Sequence, residues 1–282
     1  MTKKPPHPLP YFGSKRRHAP KLAAVIKNRT ETLYEPFAGS LAFTLYAATH
    51  NLAERYVVGD ISEPLCKIWD CIINDADRTA LAYKCIWEAD DGTPDYYATI
   101  KDRYNAGREP TDLLWLIISS KYNSPRFTKT GNYLQGQERT YKPKHPDRLE
   151  MQIHRASYLL KGRTEIRAGD WLNTTHDATK RDFIFMDPPY QGAKQDYQDG
   201  ISCETLCNGI SQLIKRQVSL AITYDGASAG TAYAPLPDEL GLTRAFIVGN
   251  TKSGRRPDHQ TYIESLYLWP PQKTLHHQVM QI

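Results

Sequence analysis

The stretch Phe183-Ile184-Phe185-Met186-Asp187-Pro188-Pro189-Tyr190 is an apolar run that stops abruptly at a carboxylate, two prolines and an aromatic. Four consecutive apolar residues bounded by turn formers predict a buried strand. Open α/β sheets bind ligands beyond the carboxyl ends of their strands, which is where Asp187 falls. Two consecutive prolines remove two N–H donors and fix φ at both positions. The carbonyls of Asp187 and Pro188 are then rigid acceptors beside a flat ring, an arrangement suited to a planar group that bears an NH2. A plain proline-rich turn has the same local sequence, so the surrounding chain has to decide.

Upstream, Thr32 to Phe37 predicts a first strand, Ala38-Gly39-Ser40 a tight turn and Leu41 to His50 an apolar helix. Strand, glycine turn and helix open a nucleotide-binding βαβ unit. With one glycine the phosphate cradle is absent, although Gly39 lets a ligand approach the backbone closely. Arg55 to Ile61 predicts a second strand, and its Asp60 lies twenty-one residues after Gly39. That is the place of a carboxylate that accepts from ribose hydroxyls. Asp60 equally suits the N-cap of a helix beginning near Glu63; ribose is the preferred reading, so the ligand is a nucleoside with no required phosphate. Thr164 to Asp170 predicts a further short strand ending in a carboxylate. Asp170 either accepts from an adenine amine or caps a turn, and Trp171 packs beside it.

The rest of the chain supplies helices and two more strands. Lys15 to about Asn28 predicts a helix, whose leading lysine opposes the macrodipole unless it faces an anionic group. Residues 64–124 are helical in pattern with a break at Asp90 to Pro94, and Asp147 to Gly162 and Cys203 to Gln217 are further helices. Val218 to Tyr224 predicts a strand, and Ala245 to Val248 with Thr261 to Trp269 an antiparallel pair. Gln191 to Gly200 is a candidate lid, Thr251 to Arg256 a basic loop, and the tail after Pro271 is expected to be disordered.

At 282 residues the chain can bury a sizeable core. No apolar run approaches a membrane span and no secretory h-region is present. Five cysteines without a CxxC pair, and no His or Cys near Cys203 and Cys207 to complete a zinc site, predict reduced thiols in a cytoplasmic setting and no metal. The net charge of +5 is unevenly placed. Residues 1–21 carry six Lys/Arg and no acid, and residues 121–167 carry eleven against four acids. The polar, basic segment 121–146 alternates in a way compatible with a loose hairpin. Its Asn, Gln and Arg are side chains that read base edges, and its aromatics are residues that stack or wedge between bases. Local basic excess of this kind suits a polyanion, although a solvated face is the alternative.

Taken in order, Tyr11 to Lys15, Glu35-Pro36-Phe37-Ala38-Gly39, Asp60, the basic insertion, Asp170, Asp187-Pro188-Pro189-Tyr190 and the strand Tyr262 to Leu268 resemble the Dam-type (D12) adenine-N6 DNA methyltransferases. The resemblance spans most of residues 10–269. It implies an α/β methyltransferase (Rossmann-like) sheet of seven strands ending in an antiparallel hairpin, with an inserted, mainly helical target-recognition domain. The division it implies is 1–74 and 163–270 for the catalytic domain, 75–162 for the insertion and 271–282 for a tail.

Carried onto this chain, the resemblance implies S-adenosylmethionine as cofactor. Tyr11, Lys15, Phe37, Gly39, Asp60, Ile61, Asp170 and Asp187 would line its site, with Lys15 near the methionine carboxylate. Asp187, Pro188, Pro189 and Tyr190 would be catalytic, Tyr190 stacking on a flipped base. Tyr122, Asn123, Arg126, Asn132, Lys142 and Lys144 would contact double-stranded DNA. Ser14 and Leu41 stand where the family has glycines, which predicts a tighter or shifted cofactor pocket. A restriction endonuclease is a partner that such a chain can have, and the oligomeric state is left open. N6-adenine methylation of RNA, N4-cytosine methylation, protein-glutamine methylation and a non-catalytic DNA-binding relic remain open alternatives.

Overall fold

A computed structural model describes residues 4–120, 123–136, 143–189, 201–228, 231–232, 234–250, 261–275 and 279–281. Its centre is β4 (Phe183–Met186), all four of whose residues are buried. Full burial on both faces is what a continuous apolar run in a parallel sheet requires. To one side lie β1 (Thr30–Glu35), β2 (Ala53–Asp60) and β3 (Thr164–Ala168); to the other lies β5 (Ser219–Ser228). These five strands run in the order β3-β2-β1-β4-β5, all neighbours parallel. Next to β5 comes β8 (Thr261–Trp269), antiparallel, and β8 pairs antiparallel with β7 (Thr243–Asn250). Two short strands complete the nine-stranded sheet: β6 (Thr231–Ala232) on β5, and β9 (Val279–Gln281) parallel to β7. Strand order reverses between β1 and β4, so the open crevice of this sheet lies at the carboxyl ends of those two strands.

Alternate residues of each central strand feed two cores, as a two-residue period requires. Leu33, Tyr56, Val58, Phe183 and Phe185 face one side; Tyr34, Val57, Ile184 and Met186 face the other. The first side is covered by α2 (Ala42–Thr49), α3 (Glu63–Asn74) and α7 (Pro146–Leu160). The same core continues through α4 (Ala76–Glu88), α5 (Pro94–Gly107) and α6 (Pro110–Ser119). Segment 75–162 is therefore packed onto the sheet through α3 and α7, and shares one hydrophobic core with it. The second side is covered by α8 (Trp171–Thr174) and α9 (Cys203–Lys215). Among the described residues no helix is long and apolar enough to cross a membrane.

Two sequence expectations are corrected. The helix expected from Lys15 to Asn28 is a 3-10 turn (Lys15–Arg17) followed by a short α1 (Ala19–Ala23). Pro20 is tolerated only in a helix's first turn, so the α-helix starts afresh at Ala19. The tail expected to be disordered contains β9, which finds hydrogen-bond partners on the otherwise unpaired edge of β7.

Candidate active site

The carboxyl ends of β1, β2 and β4 bring three acids together around the crevice. Asp187 follows β4, and its Oδ1 receives two bonds: one from Lys15 Nζ at 2.8 Å and one from Thr223 Oγ1, on β5, at 2.8 Å. Lys15 Nζ also lies 3.0 Å from Glu264 Oε1 on β8, and the second Glu264 oxygen lies 3.0 Å from His18 Nδ1. Asp187, Lys15, Glu264 and His18 thus follow one another in a chain of side-chain contacts. Among the described residues nothing bonds Asp187 Oδ2, and the side chain keeps 21% of its exposure. Burial pushes the Asp187 carboxyl above its ordinary value and Glu264 adds to this, while Lys15 and Thr223 pull it down.

Glu35 ends β1 fully enclosed and accepts from the Thr44 amide at 2.8 Å. It thereby satisfies an N-terminal donor of α2, where a helix favours negative charge. Burial, with the nearby charge of Asp187 as a lesser cause, raises its carboxyl to about 8.

Asp60 ends β2. One oxygen accepts from Gly39 N at 3.1 Å and the other from Ser62 N at 3.0 Å. Ser62, not Asp60, is the N-cap of α3, so Asp60 does not cap that helix, and its two oxygens accept from turn amides instead. Burial pushes this carboxyl up, and the two amides oppose it. Gly39 has φ +45°, and its carbonyl accepts from Trp69 Nε1 at 2.9 Å. A Cβ there would stand 3.5 Å from the Tyr11 ring, so Tyr11 covers this turn. Phe37 and Trp171 sit with ring centroids 6.1 Å apart. Ile61 is 74% exposed beside Asp60, and Asp170 caps α8 by accepting from Leu172 N at 2.7 Å.

The two positions at which the resemblance implies glycines are resolved differently. Leu41 adopts φ +47°, a left-handed conformation that costs a non-glycine residue about 1–2 kcal/mol. Its side chain is fully buried in the first core. The replacement therefore strains the backbone and turns its side chain into the core. Ser14 instead makes a new bond: its hydroxyl lies 2.6 Å from that of Ser40, tying the N-terminal loop to the Gly39 turn.

The expected DNA contacts divide. Arg126 is exposed on a loose hairpin closed by the Phe127–Tyr133 bridge, where its carbonyl accepts from Leu134 N. Asn123, Asn132 and Lys144 each use a polar atom inside the protein. Asn123 Nδ2 donates to the Ile117 carbonyl at 2.9 Å at the end of α6, and Asn132 Oδ1 accepts from Arg108 at 2.6 Å. Lys144 is half-buried, donates to the His7 carbonyl at 2.8 Å, and is pushed down to about 8 by burial and by Arg16. Tyr122, Lys142, Tyr190, the expected lid at 191–200 and the basic loop at 251–256 lie outside the described residues.

Thr223, Glu264 and His18 had no assigned place in the sequence reading. A visible signal existed for one of them: Glu264 is an acid inside an otherwise apolar strand, and a buried charge needs a partner.

A curated DNA adenine methylase of Haemophilus influenzae is 28% identical to this chain over 199 residues. The match covers 67% of this chain and 65% of that protein. Among solved structures, an rRNA methylase from Streptococcus thermophilus aligns with 92% of this chain and 98% of its own, at 12% identity and a TM-score of 0.39. A precorrin-6y C5,15-methyltransferase from Geobacter metallireducens aligns with 90% and 87%, at 8% identity and 0.35. The profile of the D12 class N6 adenine-specific DNA methyltransferases matches residues 11–204, which contain Lys15, the Gly39 turn, Asp60 and Asp187. With the match covering more than half of its length, the chain belongs to the D12 class of N6 adenine-specific DNA methyltransferases.

Proposed function

We propose that this chain transfers a methyl group from S-adenosylmethionine to the N6 amine of an adenine flipped out of duplex DNA. The observation that carries the reading is the Asp187 carboxylate at the switch point of the sheet. It is held through Oδ1 by Lys15 and Thr223, leaves Oδ2 for a ligand, and is followed by two prolines.

The donor set beside it fits the cofactor. Asp60 offers carboxylate lone pairs to ribose hydroxyls, and the partly buried Phe37 ring, backed by the buried Trp171, offers apolar surface to a purine. The turn at Gly39 has no glycine-rich run to cradle a phosphate. Tyr11, Ile61 and Asp170 would contribute to the same site. A role for Lys15 toward the methionine carboxylate rests on the family resemblance, and in this structure the lysine holds Asp187. When bound, S-adenosylmethionine supplies an electrophilic methyl group on a sulfonium centre.

The chain's own residues prepare the nucleophile. An adenine amine is poorly nucleophilic because its lone pair is delocalised into the ring. Acceptance of its two hydrogens by the Asp187 carboxylate and the Pro188 carbonyl favours a pyramidal nitrogen with a localised lone pair. Such acceptors are fixed in advance at the place where positive charge develops, so they need no reorganisation during the reaction. Lys15 and Thr223 orient Asp187, and the prolines hold the turn rigid. The amine loses its proton after it has gained charge, so no strong base is needed beforehand. Tyr190 would stack on the extruded base. Segment 75–162 would serve as the target-recognition insertion, with Arg126 exposed on its hairpin to read a base edge.

The test is expression in a host that lacks adenine methylation, followed by single-molecule sequencing of its genome. N6-methyladenine at one short site is expected. Methylated cytosine, or an unmodified genome despite folded protein, would sink the assignment.

A further inference from the structure

We propose that the groove running from Lys15 along the N-terminal segment binds the phosphate backbone of duplex DNA, with Lys4, Arg16 and Arg17 as its contacts. This rests on the reading of the chain as a DNA methyltransferase and adds a surface to it. The groove encloses about 770 Å³ between residues 4–7, residues 13–20 and the α2 side chains Ala42 and Tyr46. Among the described residues Glu264 is the one acid in its lining, and that carboxylate is already held by Lys15 and His18. Among the described residues no acid pairs with Lys4, Arg16 or Arg17.

The positive charge here is unbalanced, and it acts on its neighbours. Burial depresses His7 to about 4, and the charges of Lys144 and Arg16 push it the same way. A concave site lined by one sign of charge concentrates counter-ions and steers a polyanion. The segment that carries these groups is fixed in place. The Lys4 carbonyl accepts from Arg155 at 2.6 Å, the His7 amide donates to Gln152 at 2.7 Å, and the His7 carbonyl accepts from Lys144 at 2.8 Å.

Position selects the ligand. Among the described residues Phe37, Gly39, Asp60, Ile61 and Asp170 do not line the groove, and Lys15 is the one residue it shares with those assigned to the cofactor. Lys15 does line it and bonds Asp187, so the groove opens beside the reacting carboxylate. At its rim Phe12 is 54% exposed, and the Phe12 amide donates to the Asn123 carbonyl at 3.1 Å, joining the groove to the segment that carries Arg126. A DNA strand whose adenine reaches Asp187 must pass its flanking phosphates between these two places. Arginine is the side chain best shaped to take phosphate through two parallel bonds.

The test is fluorescence anisotropy of the full chain with labelled duplexes over a range of salt concentrations. The variants are Arg17→Ala, Arg16→Ala/Arg17→Ala and Lys4→Ala, with Arg16→Lys/Arg17→Lys as the conservative control. Calorimetric binding of S-adenosylmethionine verifies that each variant is folded. Each cation removed should lower the steepness of log affinity against log salt by about 1, equally on duplexes of any sequence, and the lysine control should restore it. Affinity and slope unchanged in the alanine variants, or a loss confined to one recognition sequence, overturns the proposal. Genomic adenine methylation by the unmutated chain together with such unchanged slopes overturns the groove alone. Failure of the unmutated chain to bind any duplex overturns both readings.

Discussion

Strands β5 and β8 carry two buried carboxylate clusters that differ in one respect. Asp225 is 1% exposed at a bulge in β5 and is saturated by the protein. Arg244 reaches it at 2.6 Å, Tyr267 at 2.8 Å and Ser265 at 3.1 Å. Asp187 is held by Thr223 of β5 and, through Lys15, by Glu264 of β8, yet among the described residues nothing bonds its second oxygen. Glu264 and Ser265 are neighbours in β8, so their side chains leave the sheet on opposite faces. The same strand pair therefore anchors a sealed ion pair on one face and an open acceptor on the other. Burial of charge costs free energy in both. Only where the partners leave a lone pair free can that charge act on a ligand.

The largest effect expected from breaking this comparison is on the open side. Asp187→Ala should lower methyl transfer by at least about 10²–10³-fold, while duplex binding by anisotropy stays close to that of the unmutated chain. Retained turnover would remove Asp187 from the chemistry. On the sealed side, Arg244→Ala should cost roughly 3 kcal/mol of stability, because it leaves Asp225 buried without its cation. Chemical denaturation would measure this, and specific activity per folded molecule should be nearly unchanged.

The smallest effect sharpens the comparison through Glu35, which lies behind the open site. Its folded-state value is raised to about 8 from 4.5. Between those values the folded chain binds more protons than the unfolded one, so this group makes stability fall as pH rises through that window. Glu35→Gln should flatten that part of the pH–stability curve. An unchanged slope would show that Glu35 keeps an ordinary value.

The legible part of the site was the part written in consecutive residues. Phe183 to Pro189 announced a buried strand with a rigid acceptor at its end, and that is β4 with Asp187 beyond it. The spacing from Gly39 to Asp60 placed a carboxylate at the end of the second strand, and Asp60 ends β2, where it accepts from the Gly39 amide. Asn132 and Lys144 each have an internal partner that the sequence did not indicate. A polar side chain in a basic segment looks the same whether it faces a ligand or satisfies its own protein, and here Arg108 and the His7 carbonyl claim them. The charge of residues 1–21 was legible, but its concave arrangement was not.

The sequence by itself determined the strand pattern, the acceptor turn and the acids at strand ends, because hydrophobic periodicity and proline geometry are local properties. Only the tertiary structure decided which groups hold Asp187. Antiparallel pairing of β5 with β8 brings Thr223 opposite Leu266, two positions from Glu264, and the short turn before α1 swings Lys15 between the two acids. Contacts between residues this far apart in the chain depend on strand register and packing, which no local pattern encodes.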